Sequence, residues 1–152
     1  MPIPVDHDHE VQRLLRAVTA RAELHRLQKL RAVLAASKEG WSQRDIAASL
    51  GVTQPEVSRL AKAARLQPNV GHRTPREVLL EHAVGEVSHD DMMRELLAWD
   101  YTFGGAPTED PDADAYVRGT WDQIERAGDL LDDDDYQQLL DATARDRAAS
   151  RQ

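Results

Sequence analysis

From Glu10 to Ser37 the chain runs without glycine or proline, and its apolar residues recur three and four positions apart: Val11, Leu14, Leu15 and Val18, then Leu27, Leu30, Val33 and Leu34. That spacing predicts one long amphipathic helix. Between the two groups stand Ala22 and His25, so the stripe thins, and a short dimer seam or packing against neighbouring helices fits better than a sustained coiled coil. Gly40 ends the segment. Ser42 is placed to cap a second helix, with Asp45 at the positive end of its dipole and Gly51 at its close. Thr53 and Glu56 have the spacing of a capping box, and Pro55 falls in a first turn, where its missing N–H does no harm. A third helix then runs to about Arg65.

Pro68, Asn69 and Gly71 interrupt the pattern between Gln67 and Arg73. Beyond them Thr74-Pro75-Arg76-Glu77 opens a helix that ends near Gly85, and Ser88 with Asp91 opens another carrying Met92, Met93, Leu96 and Leu97. From Trp99 to Trp121 five of the seven aromatic residues gather with Gly104, Gly105, Pro107 and Pro111, which reads as an ordered loop anchored by rings. Thr120 is placed to cap a helix through about Leu131, and Asp132 to Asp135 lead a last helix carrying Tyr136, Leu139 and Leu140. The expectation is an all-α protein. Its parts are a flexible leader (1–9), a helical domain with a long first helix (10–66), a linker (67–73), a small acidic helical domain (74–145) and a fraying tail (146–152).

Length and composition narrow the classes. A chain of 152 residues with 41% apolar and 30% charged side chains is globular, and no apolar run approaches the ~20 residues of a bilayer span. The acidic start, MPIPVDHDHE, has no apolar stretch of a secretory signal, and with no cysteine the expected location is the cytoplasm. Absence of cysteine also removes disulfide frameworks, thiol catalysis and cysteine-ligated zinc. The net charge of -8 conceals two opposite halves: residues 1–73 hold 12 Lys and Arg against 7 Asp and Glu, residues 74–152 hold 7 against 20. Nucleic acid attracts the first and repels the second.

The informative stretch is GWSQRDIAASLGVTQPEVSRLAKAAR. Ile46 and Leu50 direct one face of the second helix at Val57 and Leu60 of the third; Ala47 is small enough for close approach, Gly51 permits a sharp connection, and Val52 closes the turn. The opposite face of the third helix is polar. These seven positions, within Ser42 to Arg65, resemble the helix-turn-helix of bacterial transcriptional regulators, phage-type repressors and resolvases. The resemblance implies double-stranded operator DNA as partner, with the third helix in a major groove. In that setting Gln54 suits adenine and Arg59 guanine; Ser58 is less selective, and Thr53 and Gln43 suit phosphate. Glu56 has two roles open to it, its own helix cap or acceptance from a cytosine amine. Arg44, Lys62 and Arg65 are assigned to phosphates. A single half-site offers few contacts, so a homodimer is expected, the long first helix its foremost seam and the second half the competitor.

Other groups are weaker candidates. Asp110, Asp112 and Asp114 alternate like calcium ligands, but Ala115 stands where that loop needs glycine and Trp121 where it needs glutamate. Asp132 to Asp135 suit a helix start and a solvated face. His7, Asp8 and His9 precede the expected helix, and His72, His82 and His89 define no ligand geometry. No phosphate loop or nucleophile elbow occurs, so neither a metal, a cofactor nor an enzyme is expected.

In the acidic half, Trp99, Tyr101, Phe103, Tyr116 and Trp121 are either that domain's own core or a surface for a basic protein partner. An N-terminal helix-turn-helix followed by an acidic, aromatic-bearing module is similar to bacterial antitoxins that repress their own operon, and the WDYTFGG and YVRGTWD stretches look like segments of actinobacterial regulators of this kind. That resemblance implies a toxin protein as a further partner. The alternative is an adaptor in which both halves bind protein and DNA is not contacted.

Overall fold

The computed structural model describes residues 5–67, 70–104 and 119–149. Among them every regular element is helical: α1 (Val5–Lys38), α2 (Gln43–Leu50), α3 (Gln54–Leu66), α4 (Pro75–Ala83), α5 (His89–Leu97), α6 (Trp121–Glu125), a 3-10 turn (Gly128–Leu130) and α7 (Asp133–Ala149). The protein is all-α, and no helix among the described residues is long and apolar enough to cross a membrane. The chain forms two compact units, residues 21–73, and residues 1–20 together with 74–152.

The first helix begins earlier than its sequence indicates. His7, Asp8 and His9, expected in a flexible leader, are helical, because Asp8 and Glu10 lie in the first two turns, where the positive end of the helix dipole favours them. The apolar positions that read as one stripe occupy two faces. Val11, Leu14, Leu15 and Val18 are 52 to 62% exposed, whereas Leu30 and Val33 are buried and Leu27 and Leu34 pack beside them. At 3.6 residues per turn Leu30 lies about 120° round the axis from Val18, so intermittent spacing conceals a change of face.

In the unit of residues 21–73 the core is Leu30, Val33, Ile46, Ala47, Val57, Leu60, Ala64 and Val70, with Leu50 and Val52 at its margin. Val70 comes from the stretch that reads as linker. Arg31 fixes it there: Nε donates to the Val70 carbonyl at 2.8 Å and Nη2 to the His72 carbonyl at 3.0 Å.

The second unit is built on Val78, Leu79, Met92, Met93, Leu96, Trp121, Ile124, Ala127, Leu131 and Leu139. Its helices start on side-chain caps: Thr74 Oγ1 accepts from the Glu77 N–H at 3.2 Å, Ser88 Oγ from Asp91 at 3.1 Å and Asp132 Oδ1 from Asp135 at 2.9 Å. Thr120 does not act as the expected cap. Its hydroxyl accepts from the Thr102 N–H at 2.9 Å while the Thr102 hydroxyl accepts from the Thr120 N–H at 2.9 Å, and the Trp121 N–H reaches the Thr102 carbonyl at 3.0 Å. The helix expected through Leu131 is likewise broken, ending at Glu125, with Gly128 at φ +56° in the 3-10 turn that follows. Conversely, α7 continues past Arg145 to Ala149. Its last turn is held by the Arg147 guanidinium, 4.0 Å from the centre of the Phe103 ring.

Candidate nucleic-acid interface

The candidate site grows from a sharp corner between two short helices. Ser42 Oγ accepts from the Asp45 N–H at 3.1 Å and so starts α2. Gly51 ends α2 at φ +72°, with the Gly51 and Val52 N–H groups both donating to the Ala47 carbonyl, at 3.0 and 3.1 Å. A left-handed residue here turns the chain within three positions, and Thr53 Oγ1 then accepts from the Glu56 N–H at 3.3 Å to start α3. Ile46, Ala47, Val57 and Leu60 are buried at the crossing.

Burial of Val57, Leu60 and Ala64 fixes which side of α3 faces outward. Gln54, Ser58, Lys62 and Arg65 fall on one exposed arc at helical spacing, with Arg59 at its edge. Among the described residues, Arg59, Lys62 and Arg65 have no ion pair, which leaves a guanidinium or ammonium group available to an outside acceptor. Gln43 and Arg44 are exposed in the first turn of α2. Thr53 is exposed as well, and although its oxygen accepts the capping bond, its O–H is still free to donate to a phosphate.

Glu56 lies off the arc. Its carboxylate oxygen is 3.6 Å from Lys29 Nζ on α1, and its backbone N–H is the group that Thr53 caps. The carboxylate therefore braces α3 against α1, a neighbour the capping spacing gave no hint of. Trp41 also escaped the sequence reading: it stands just before α2 and is 52% exposed, beside a shallow depression formed with Gly40, Ser42, Asp45, Ala48 and Ser49. Its signal was a lone large ring between a glycine and a capping serine. Residues 21–73 carry 10 Lys and Arg against 4 Asp and Glu, so the whole unit reinforces the charge of the arc.

The aromatic residues of the acidic half are placed differently. Trp121 is buried, with the Tyr101 ring edge-on at 5.1 Å and the Tyr136 ring stacked at 6.4 Å. Tyr101 O–H donates to the Leu96 carbonyl at 2.6 Å, and burial pushes its phenol well above the ordinary range. Trp99 also packs, half-buried, against the core, and Phe103, 37% exposed, is the most exposed of these rings among the described residues. Tyr116 and the acids Asp110, Asp112 and Asp114 lie outside the described residues.

Two histidines without an evident role in the sequence meet in this unit. The His82 and His89 rings are edge-on at 6.0 Å, and His89 Nε2 lies 2.8 Å from Asp135 Oδ2. The hydrogen bond to Asp135, then that carboxylate's negative charge, raises the His89 pKa above its ordinary value. Among the described residues no three His, Asp or Glu side chains gather closely enough to hold a metal ion. Compared with protein-family models, characterised proteins and solved structures, the chain matches none.

Proposed function

We propose that this protein is a sequence-specific DNA-binding transcriptional regulator, a repressor that places α3 in the major groove of its operator. The observation that carries the reading is the exposed arc of α3, where amide, hydroxyl and cationic groups stand on one side of a helix that the α2 crossing holds rigidly. A major groove about 12 Å wide admits one helix, and the residues of its N-terminal half reach base edges first. Gln54 is the candidate reader of adenine and Arg59 of guanine, with Ser58 between them. Gln43, Arg44, Thr53, Lys62 and Arg65 are assigned to phosphates, which fix register without reading sequence. Glu56 we assign to bracing and capping, since Lys29 already neutralises its carboxylate. Two copies would read the halves of a pseudo-palindromic site.

The acidic unit is the half we assign to a basic protein partner, such as the toxin of an operon that the protein itself represses. With Trp121 buried and Trp99 and Tyr101 half-buried against the unit's core, the most exposed of the described aromatic residues of this unit is Phe103, with acids such as Asp100 beside it.

Electrophoretic mobility assays with the protein's own upstream region and a random duplex of equal length test the DNA reading. Preference for the upstream duplex, falling steeply with ionic strength, is the expected result. Indifference to every duplex at low salt would overturn the reading in favour of a protein adaptor.

A further inference from the structure

The exposed side of α1 presents Val11, Leu14, Leu15 and Val18, each more than half exposed, on about two turns of one face. A soluble chain rarely leaves four large apolar side chains adjacent on one helix face unless another surface covers them. The arrangement is a palindrome about the Leu14–Leu15 midpoint. Reversing the helix places Val18 where Val11 was and Leu15 where Leu14 was. Such a patch is complementary to itself under a two-fold rotation.

We infer that two copies of the chain associate through this face of α1 in antiparallel orientation, with the two-fold axis passing between Leu14 and Leu15. Val11 of one copy then meets Val18 of the other, and Leu14 meets Leu15, leucine on leucine and valine on valine. Charge selects the direction. Glu10 and Arg21 are exposed on the same flank of the patch, at opposite ends of it. Antiparallel helices bring Glu10 of each copy to within two residues, about 3 Å along the axis, of the level of Arg21 of the other, within reach of these long side chains and a favourable pair at both ends. Parallel helices would set Glu10 level with Glu10 and Arg21 level with Arg21. The opposite side of α1 is already engaged within its own unit, where Arg13 and Arg16 border a cavity with Asp129, Asp132 and Asp135. The basic arc of α3 has no part in the contact, so the inference stands whether or not the DNA reading holds.

Two helices touching over about three turns bury less than the ~1,600 Å² of a standard interface, so the association is weak and concentration-dependent. Sedimentation velocity of the full chain, from roughly 1 to 200 µM, is expected to pass from monomer to dimer. The double variant Leu14→Glu, Leu15→Glu changes only exposed side chains; it is expected to remain monomeric throughout with the helical circular dichroism of wild type. Direction is tested by cross-linking, since the chain contains no cysteine. Val11→Cys and Val18→Cys proteins, mixed and oxidised, are expected to form a disulfide at least ~10-fold faster than either alone. Antiparallel helices separate like positions by about 10 Å along the axis, beyond the ~7 Å that a disulfide spans between Cα atoms. Glu10→Arg should weaken the dimer, and adding Arg21→Glu should restore it. A wild type that stays monomeric, a double variant that dimerises like wild type, or Val11→Cys protein that cross-links to itself as fast as the mixture does, would each overturn the inference. All are read without DNA, so failure here leaves the groove-binding assay to be judged separately.

Discussion

Gly51 holds the corner of the candidate site at φ +72°, and a Cβ built there would meet nothing within 4 Å. Space is therefore not what requires glycine; backbone conformation is. Gly51→Ala should cost about 1–2 kcal/mol in a denaturant melt while leaving the core of Ile46, Val57 and Leu60 packed. The cations on α3 call for a different measurement. Arg59→Ala should weaken operator binding by ~1–3 kcal/mol and relax the preference at one base pair. Lys62→Ala should weaken all duplexes alike and lower the salt slope by about one. Equal losses on operator and random DNA for Arg59→Ala would remove it from base reading. Glu56 shows where residue-level inference stopped: capping spacing was legible in Thr53-x-x-Glu56, but the ion pair with Lys29, 27 positions away, depends on how α1 crosses α3.

Local rules served best at the starts of elements. The caps at Ser42, Thr53, Thr74 and Ser88 follow from a hydroxyl residue placed three positions before an acid, and each is made in the structure. Ser42→Ala should destabilise the unit of residues 21–73 by about 1 kcal/mol, measured by thermal melting. A hydroxyl without an acid three positions on was a poorer guide: Thr120, followed at that spacing by Gln123, makes no cap, because its hydroxyl is used by Thr102, a residue 18 positions away that no local window contains. Periodicity had a similar limit. Val11 to Val18 and Leu27 to Leu34 each show helical spacing, but whether a stripe is covered depends on what packs beside it, and only the second is. The His89–Asp135 bond between α5 and the start of α7 was equally invisible, and it sets a pH dependence. His89 titrates near 6.5 in an unfolded chain and higher in the fold, so protonation favours the folded state. Its stabilising contribution is complete just below pH 6.5 and fades as pH rises through the raised folded value. Melting temperature should fall over that interval, and His89→Gln should flatten the fall. An unchanged profile would show that the bond contributes little at this exposed site.

For the molecule as a whole, the contrast between a basic and an acidic part was legible from residue counts, as was the all-α class. What counting could not give was the assignment of residues 1–20 to the same compact unit as 74–152: with Arg13 and Arg16 against Asp6, Asp8 and Glu10 their charge is nearly balanced and favours neither half decisively. Nor could it give the position of Val70, which Arg31 draws into the core of the first unit. The charge division has a measurable counterpart. If DNA binding belongs to residues 21–73, with 10 basic residues against 4 acidic, neutralising acids elsewhere should raise affinity for all duplexes without altering preference. The triple variant Asp132→Asn, Asp133→Asn, Asp134→Asn tests this; a changed preference would implicate the acidic unit in reading sequence.

The three tryptophans are shared unequally between the units: Trp41 belongs to residues 21–73, Trp99 and Trp121 to the other. Trp41 is half exposed and Trp121 buried, so their indoles occupy solvents of different polarity. The protein thereby carries a separate intrinsic fluorophore in each part. Trp41→Phe should remove the red-shifted, acrylamide-quenchable component of the emission and leave a signal that follows unfolding of the acidic unit by itself.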